Sequence, residues 1–343
     1  MVKSRIGRRR FLAGVSAVSA AAAMGGRLRA QSAEAVTMRL NAIAYGEHAP
    51  FALGIEKGFF LGEGIALKLL QGNGSGNAVQ ITASKQDPFG YADAGTVMKA
   101  VARGVPVRLV GVFQQLSPLS IIFFADKGFK APKDLEGHSI ALTAGDALHQ
   151  LLPAVFRKNG VDQSKVRFLL MELAAKSTAV IDGRADAMGG YFTTQGPQIA
   201  AVAKKATAWL KYSDFGVNTL SDGVIVNRDL IRDNPELIRR FLRAATRAWS
   251  YAEVNPQEAV DALIKMFPDS SFLAQPGQAL KQWEGHSALM RAPRAEGRVP
   301  GWVAPEDVQD TIDLLAEYAE LSPKGKMDDY QRVLAGVRRC ALR

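Results

Sequence analysis

Strand-like and helix-like segments alternate along this chain in two successive sets, and that order restricts the fold more than any other feature. Residues 38–44 alternate polar and apolar and read as a first strand. Pro50 then opens a helix that Gly58 ends, and 65–70 reads as a second strand. A glycine-rich turn, a short helix over 78–83, a strand near 89–92, a helix over 96–103 and an apolar strand over 107–113 complete the first set. Gln114-Gln115-Leu116-Ser117-Pro118 breaks the pattern. Beyond it a second set is expected, with strands at 120–125, 138–142, 166–170, 187–189 and 209–212, and helices over 147–158, 176–182 and 194–204. Crossover connections of this kind imply parallel sheets covered by helices.

After a strand at 224–226 the pattern turns helical. Pro235, Pro256 and Pro305 each fall in a first helical turn, with Asn234 and Asn255 as good caps for the first two. The fold class is therefore α/β in two lobes with a helical C-terminal part. Residues 36–118 plus 229–343 are assigned to lobe I and 119–228 to lobe II, which puts chain crossings near 114–120 and 213–228.

The N-terminus bears on the compartment. Arg8-Arg9-Arg10-Phe11-Leu12 is a twin-arginine pattern, and the mild apolar run over 13–24 is shorter than the ~20 residues that span a bilayer. Ala33-Glu34-Ala35 offers a small-residue cleavage site, so 1–35 reads as a removed export leader, against a retained basic arm or an uncleaved anchor. Residues 1–33 hold seven basic side chains and no acid, leaving 36 Lys and Arg against 33 Asp and Glu, a net charge of only +3. The overall charge of +10 is thus mostly a property of the leader and the Arg338, Arg339, Arg343 tail, and gives little support to nucleic-acid binding. The single cysteine, Cys340, excludes an internal disulfide, a structural zinc cluster and a lipidated cysteine beside the leader.

Several motifs fall at strand ends, the edge where open α/β sheets bind ligands. Gly72-Asn73-Gly74-Ser75-Gly76-Asn77 lies between a strand and a helix, so the amides of Gly74, Ser75 and Gly76 can hold a polar or anionic group. An ordinary turn and a dinucleotide fingerprint are the competing readings; Asn77 in place of the third glycine weakens the latter. Tyr45 could stack on a planar ligand and His48 could donate to it, or both could simply pack a helix start. Asp93 could touch ligand or cap the next helix. In the second set, Thr143 and Asp146 precede a helix whose free amides could face the first lobe, and Asp146 could be only a cap. Tyr191 follows Gly189-Gly190 and offers an aromatic face, or sits in the core. Lys176 and Asp182 read as a solvated charged helix face.

Catalytic constellations are thin. His48, His138, His149 and His286 show no metal-binding spacing, no G-x-S-x-G elbow occurs, and Cys340 has no nearby base. No metal, cofactor or catalytic residue is expected.

Taken together, Ala49-Pro50-Phe51, Gly58-Phe59-Phe60, Glu63-Gly64-Ile65, Gly72 to Gly76, Phe89-Gly90-Tyr91-Ala92-Asp93, Gly104-Val105-Pro106-Val107, Pro132 to Gly137 and Asp182 to Ala187 resemble the solute-binding proteins of ABC importers. The group is the one that handles nitrate, sulfonate, taurine and thiamine-pyrimidine precursors (SsuA/THI5-like, NMT1-like). The resemblance runs over about 40–266. It implies a type II, Venus-flytrap periplasmic-binding-protein fold, a small organic ligand (a sulfonate, pyrimidine-like or aromatic compound) held between the lobes, and delivery to an inner-membrane ABC permease. A periplasmic monomer without enzymatic activity is the expectation. The alternative is a pyrimidine-precursor biosynthetic enzyme on the same fold, whose cysteine-rich motif this chain lacks. Glu47, Asp93, Asp146 and Glu172 near strand ends fit a polar heterocycle or an amine-bearing ligand better than a bare inorganic anion.

Overall fold

A computed structural model describes residues 33–274, 277–319 and the positions 321, 322, 325, 326 and 329. Residues 1–32 with Arg8 and Arg9, the arginine tail and Cys340 lie outside the described residues, whereas Glu34 and Ala35, the last two residues of the expected leader, begin the first strand and pair with Ile65 and Ala66, so a leader ending at 35 would cut into the sheet. From Glu34 onward the described residues form one compact unit containing two five-stranded sheets. The ten strands are β1 (Glu34–Arg39), β2 (Ile65–Leu70), β3 (Phe89–Asp93), β4 (Val107–Val112), β5 (Leu119–Phe124), β6 (Ser139–Leu142), β7 (Arg167–Leu170), β8 (Ala187–Tyr191), β9 (Thr207–Lys211) and β10 (Asp222–Asn227).

The first sheet runs β2-β1-β3-β10-β4 and the second β7-β6-β8-β5-β9. Both are mixed, which corrects the expectation of parallel sheets. β10 pairs antiparallel with β3 and β4, and β5 pairs antiparallel with β8 and β9. These two are the strands that follow each passage between lobes, so they enter their sheets from the opposite end. The placement of β10 also moves the second boundary. It belongs to the first sheet, so the return crossing is complete before Asp222 and lobe II does not extend to 228.

Local sequence accounts for the elements. In β2 the apolar residues Ile65, Leu67 and Leu69 are buried while Ala66 and Lys68 are exposed, the period of two of a half-covered strand. β3 and β10, buried throughout, are covered on both faces. The helix Pro235–Val254 begins at Asn234, whose side chain accepts from the Leu237 amide, and buries Leu237, Phe241, Ala245 and Trp249 against the first sheet. Phe241 stacks on Phe89 with ring centroids 4.0 Å apart. Where this helix crosses Ala49–Glu56, a Cβ on Gly54 would lie 2.7 Å from that of Ala248, so only glycine fits.

Each lobe has its own apolar core. A third cluster joins them: Val97 and Met98 from the helix Ala94–Ala102 pack with Leu148, Leu151 and Leu152 from the helix Ala147–Lys158.

Candidate functional site

The chain leaves β1 at Leu40, and the next residues turn inward. Asn41 and Tyr45 form the floor of a cavity between the lobes; Gly74 and Ser75 form one wall, and Asp146, Lys176 and Tyr191 the other. The free space is about 30 Å³. Five of the nine residues selected from sequence, Tyr45, Gly74, Ser75, Asp146 and Tyr191, line it.

The floor is a continuous polar network. Asn41 donates from Nδ2 to Asp222 Oδ1 at 2.9 Å and to the Tyr45 hydroxyl at 3.3 Å. Tyr45 in turn donates a short bond to Glu47 Oε2. Glu47 also accepts from the Tyr91 hydroxyl at 2.7 Å and, with the Gln114 amide nitrogen facing it, from Gln114 at 2.6 Å. From the opposite lobe the Tyr191 hydroxyl donates to Asp222 Oδ2 at 3.1 Å, closing the network across the cavity. The Tyr45 and Tyr191 rings meet edge to face, 6.0 Å between centroids.

Glu47, Asp93 and Asp222 are all fully buried. Burial, then the neighbouring charge of Asp222, raises the Glu47 carboxyl well above the usual range and pushes Asp93 up to about 7. Burial likewise pushes Asp222 up to about 6, against the bonds from Asn41, Tyr191 and Ser221. The two histidines beside them are held neutral, each at about 3, chiefly by burial. His286, on the helix Gln278–Ser287, bonds through Nε2 to Thr193 and Thr194 of the other lobe, each at 2.9 Å.

The remaining sequence candidates lie elsewhere. His48 does not line the cavity. Its Nδ1 accepts from the Tyr45 amide and its Nε2 meets Asn41 Oδ1 at 2.8 Å, so both ring nitrogens are committed and it orients the floor instead of donating to a ligand. Asp93 caps the helix Ala94–Ala102 by accepting from the Thr96 amide at 2.8 Å, while its own amide donates to the Ser75 hydroxyl. Thr143 is buried and does not line the cavity. Gly76 lines a wider outer groove of about 740 Å³, together with Lys99, Arg103 and His149.

Between cavity and groove the lobes touch. A Cβ on Gly76 would lie 2.3 Å from the Gly145 carbonyl oxygen, and one on Gly74 would lie 3.1 Å from Asp146 Cβ. The bonds Asn73 Nδ2 to Glu172 Oε2, 2.8 Å, and Lys99 Nζ to the Gln150 carbonyl, 2.9 Å, also join the lobes. The glycine strip is therefore pressed against the second lobe, and Glu172 serves the contact between lobes.

Lys176 corrects the expectation of a solvated face. It is 1 % exposed, and its ammonium is 2.9 Å from Asp146 Oδ2. Asp146 accepts at the same time from the His149 amide, so capping and ion pairing share one carboxylate. Asn41, Lys176 and Asp222 were missed by sequence reasoning. The one available signal was Asp222 itself, an acid opening β10 ahead of the apolar run Val224-Ile225-Val226.

The model of the family described as NMT1/THI5 like matches residues 46–259. The riboflavin-binding protein RibY of Chloroflexus aurantiacus is 25% identical over 241 residues, 68% of this chain and 67% of that protein. The formylaminopyrimidine-binding protein of Halalkalibacterium halodurans is 24% identical over 245 residues, 71% and 73% of the two chains. A 4-amino-5-hydroxymethyl-2-methylpyrimidine phosphate synthase of Aspergillus parasiticus is 24% identical over 250 residues, 69% and 72%. Among solved structures, the alkanesulfonate-binding protein SsuA of Xanthomonas axonopodis pv. citri superposes with a TM-score of 0.68 at 14% identity, covering 88% of this chain and 98% of that one. The two-lobed fold is that of the periplasmic binding proteins.

Proposed function

The chain belongs to the NMT1/THI5-like family, and from that membership we propose that it is a periplasmic binding protein that captures a small organic solute between its lobes and delivers it to an ABC import permease. The observation that carries this reading is the narrow cavity walled by both lobes and bridged by the bond from Tyr191 to Asp222. A space of about 30 Å³ holds a water or two. Organic ligands occupy pockets of roughly 300–1,000 Å³, so the solute loads with the lobes apart and is enclosed by hinge closure. Tyr45 and Tyr191 supply aromatic surface, while the floor network and the Gly74 and Ser75 wall supply the polar contacts. The solute is thus a sulfonate, pyrimidine-like or aromatic compound of modest size.

Binding is favoured over synthase chemistry because the histidines near the cavity are neutral and their ring nitrogens are engaged in holding the floor and the lobe contact. The twin-arginine leader fits export, and a monomer fits the role. The test is a thermal-shift screen of the mature protein with pyrimidines, flavins, sulfonates and aromatic acids, followed by solution scattering. A true ligand stabilises by ~2.7 kcal/mol at a hundredfold excess over its dissociation constant and shrinks the radius of the protein. Conversion of the stabilising compound by the purified protein would replace binding with enzymatic turnover as the function.

A further inference from the structure

We propose that the solute is a planar organic cation, a ring bearing a protonated amine or amidinium, and that Asp222 is the residue that seats its charged nitrogen, an inference that rests on the interlobe reading of the cavity. Asp222 is separated from the cavity by the two side chains it bonds, Asn41 and Tyr191, both of which line the space. One of these comes from the opposite lobe. Parting the lobes withdraws the Tyr191 hydroxyl and leaves Asp222 Oδ2 with only the Ser221 hydroxyl at 3.2 Å. In the closed form Tyr191 thus occupies the donor position that a ligand N–H takes when solute is enclosed.

The surroundings select the sign of the charge. Asp93 lies directly across from Asp222 in the β3–β10 pairing. Its Oδ1 is used by the Thr96 amide, whereas its Oδ2 is fully buried with no partner among the described residues. Glu47 adds a third buried carboxyl to the same network, and none of the three is ion-paired to Lys or Arg among the described residues. The neighbouring histidines are neutral, and Lys176 on the far wall is already matched by Asp146. The wall around Asp222 therefore holds uncompensated negative charge or the protons that replace it. A buried carboxylate needs a partner to offset its desolvation, and a cationic N–H donor supplies both charge and bond. A sulfonate placed beside Asp222 meets carboxyl oxygens there and finds no cation beside them among the described residues. Tyr45 and Tyr191 give a flat cation ring faces and edges to pack on.

Benzamidinium, benzamide and benzenesulfonate share a ring and differ in charge, so they separate the possibilities. Titrated calorimetrically into the mature protein, benzamidinium is expected to bind at least tenfold more tightly than either other compound. Asp222→Asn is expected to remove that preference. Should Asp222→Asn fail to fold, Asp93→Asn keeps the helix cap and should weaken benzamidinium severalfold with Asp222 intact. Equal or tighter binding of benzamide or benzenesulfonate, an undiminished preference in Asp222→Asn, or no binding of any of the three overturns the cation assignment. The wider screen separates this from failure of the binding-protein reading. A sulfonate or neutral pyrimidine that binds and compacts the protein refutes only the cation, whereas a panel in which nothing binds refutes both.

Discussion

Gly76→Ala tests whether closure of the lobes depends on backbone contact between them. Gly76 is the second residue of the helix Ser75–Ala83 and is not among the glycines with positive φ, so alanine fits its backbone and the first lobe should fold as before. Its Cβ would nevertheless lie 2.3 Å from the Gly145 carbonyl oxygen, and that neighbour is main chain of the other lobe. Carbon and oxygen tolerate about 3.3 Å, so the lobes must separate locally by about 1 Å. The adjoining Asn73–Glu172 and Lys99–Gln150 bonds, 2.8 and 2.9 Å, would stretch with them. Overpacking of this kind costs ~1–3 kcal/mol, here charged only to the closed state. At 1.4 kcal/mol per tenfold, affinity should fall by roughly five- to a hundredfold, since the solute must also supply that cost. Calorimetry should show the weakening, and solution scattering of the ligand-saturated variant should give a larger radius than wild type. Unliganded stability should be nearly unchanged. Wild-type affinity and radius in Gly76→Ala would refute the gate.

Lys176→Met leaves Asp146 buried without its cation and should destabilise the protein by ~3 kcal/mol in urea denaturation, with much of the loss recovered when Asp146→Asn is added; a single-variant loss under ~1 kcal/mol would contradict the buried pair. The raised carboxyls predict the sign of a pH effect. Asp93 at about 7 holds a proton in the folded state that the unfolded chain has already lost, so its stabilisation is present at low pH and lost as pH rises through 7. The depressed histidines act in the opposite direction only below their unfolded value near 6.5, so the clean window is pH 6.5–8. Stability should fall there by on the order of 1 kcal/mol, and Asp93→Asn should reduce the slope, the raised Glu47 acting in the same direction; a rise with pH would refute the assignment. Arg8→Lys combined with Arg9→Lys should leave precursor in the cytoplasm in a fractionation assay, and normal export of that variant would exclude the twin-arginine route.

Elements set by local chemistry were legible in the sequence. The helix Ala147–Lys158 and the strand Ile65–Leu70 were read with their observed limits, because a cap and a clean period of two mark them. The first strand was read as 38–44 but runs Glu34–Arg39. Leu40, Ala42 and Ala44 are buried because the chain dives into the cleft, and that burial imitates strand alternation. Strand direction was not legible, since a period of two is the same for parallel and antiparallel pairing. Within the site, Tyr45, Ser75 and Tyr191 could be chosen because each sits at a strand end or glycine turn. Lys176 and Asp222 could not, because their meaning comes from Asp146 and Tyr191, partners 30 and 31 residues away that only the fold brings near.

The two passages of chain between the lobes converge on Asp222, the residue proposed to seat the solute. The amides of Phe113 and Gln114, at the start of the outward crossing, both donate to the Asp222 carbonyl, at 3.1 and 3.0 Å, where the return crossing ends. The Asp222 main chain thus ties the crossings together while its side chain reaches Tyr191. Side chain and main chain can be perturbed separately. Gly223→Ala places a Cβ 2.6 Å from the Gly111 carbonyl oxygen and 3.0 Å from Leu109 Cδ2, a clash inside the first sheet beside the crossings. It should cost ~1–3 kcal/mol of stability and alter the unliganded radius, because the seam between β4 and β10 must widen. Asp222→Asn keeps the carbonyl, so its unliganded radius should match wild type while the tight binding of a cationic solute is lost. Scattering and calorimetry on the two variants distinguish hinge from anchor. If both change the radius alike, or both spare binding, the junction at Asp222 does not couple the solute to closure.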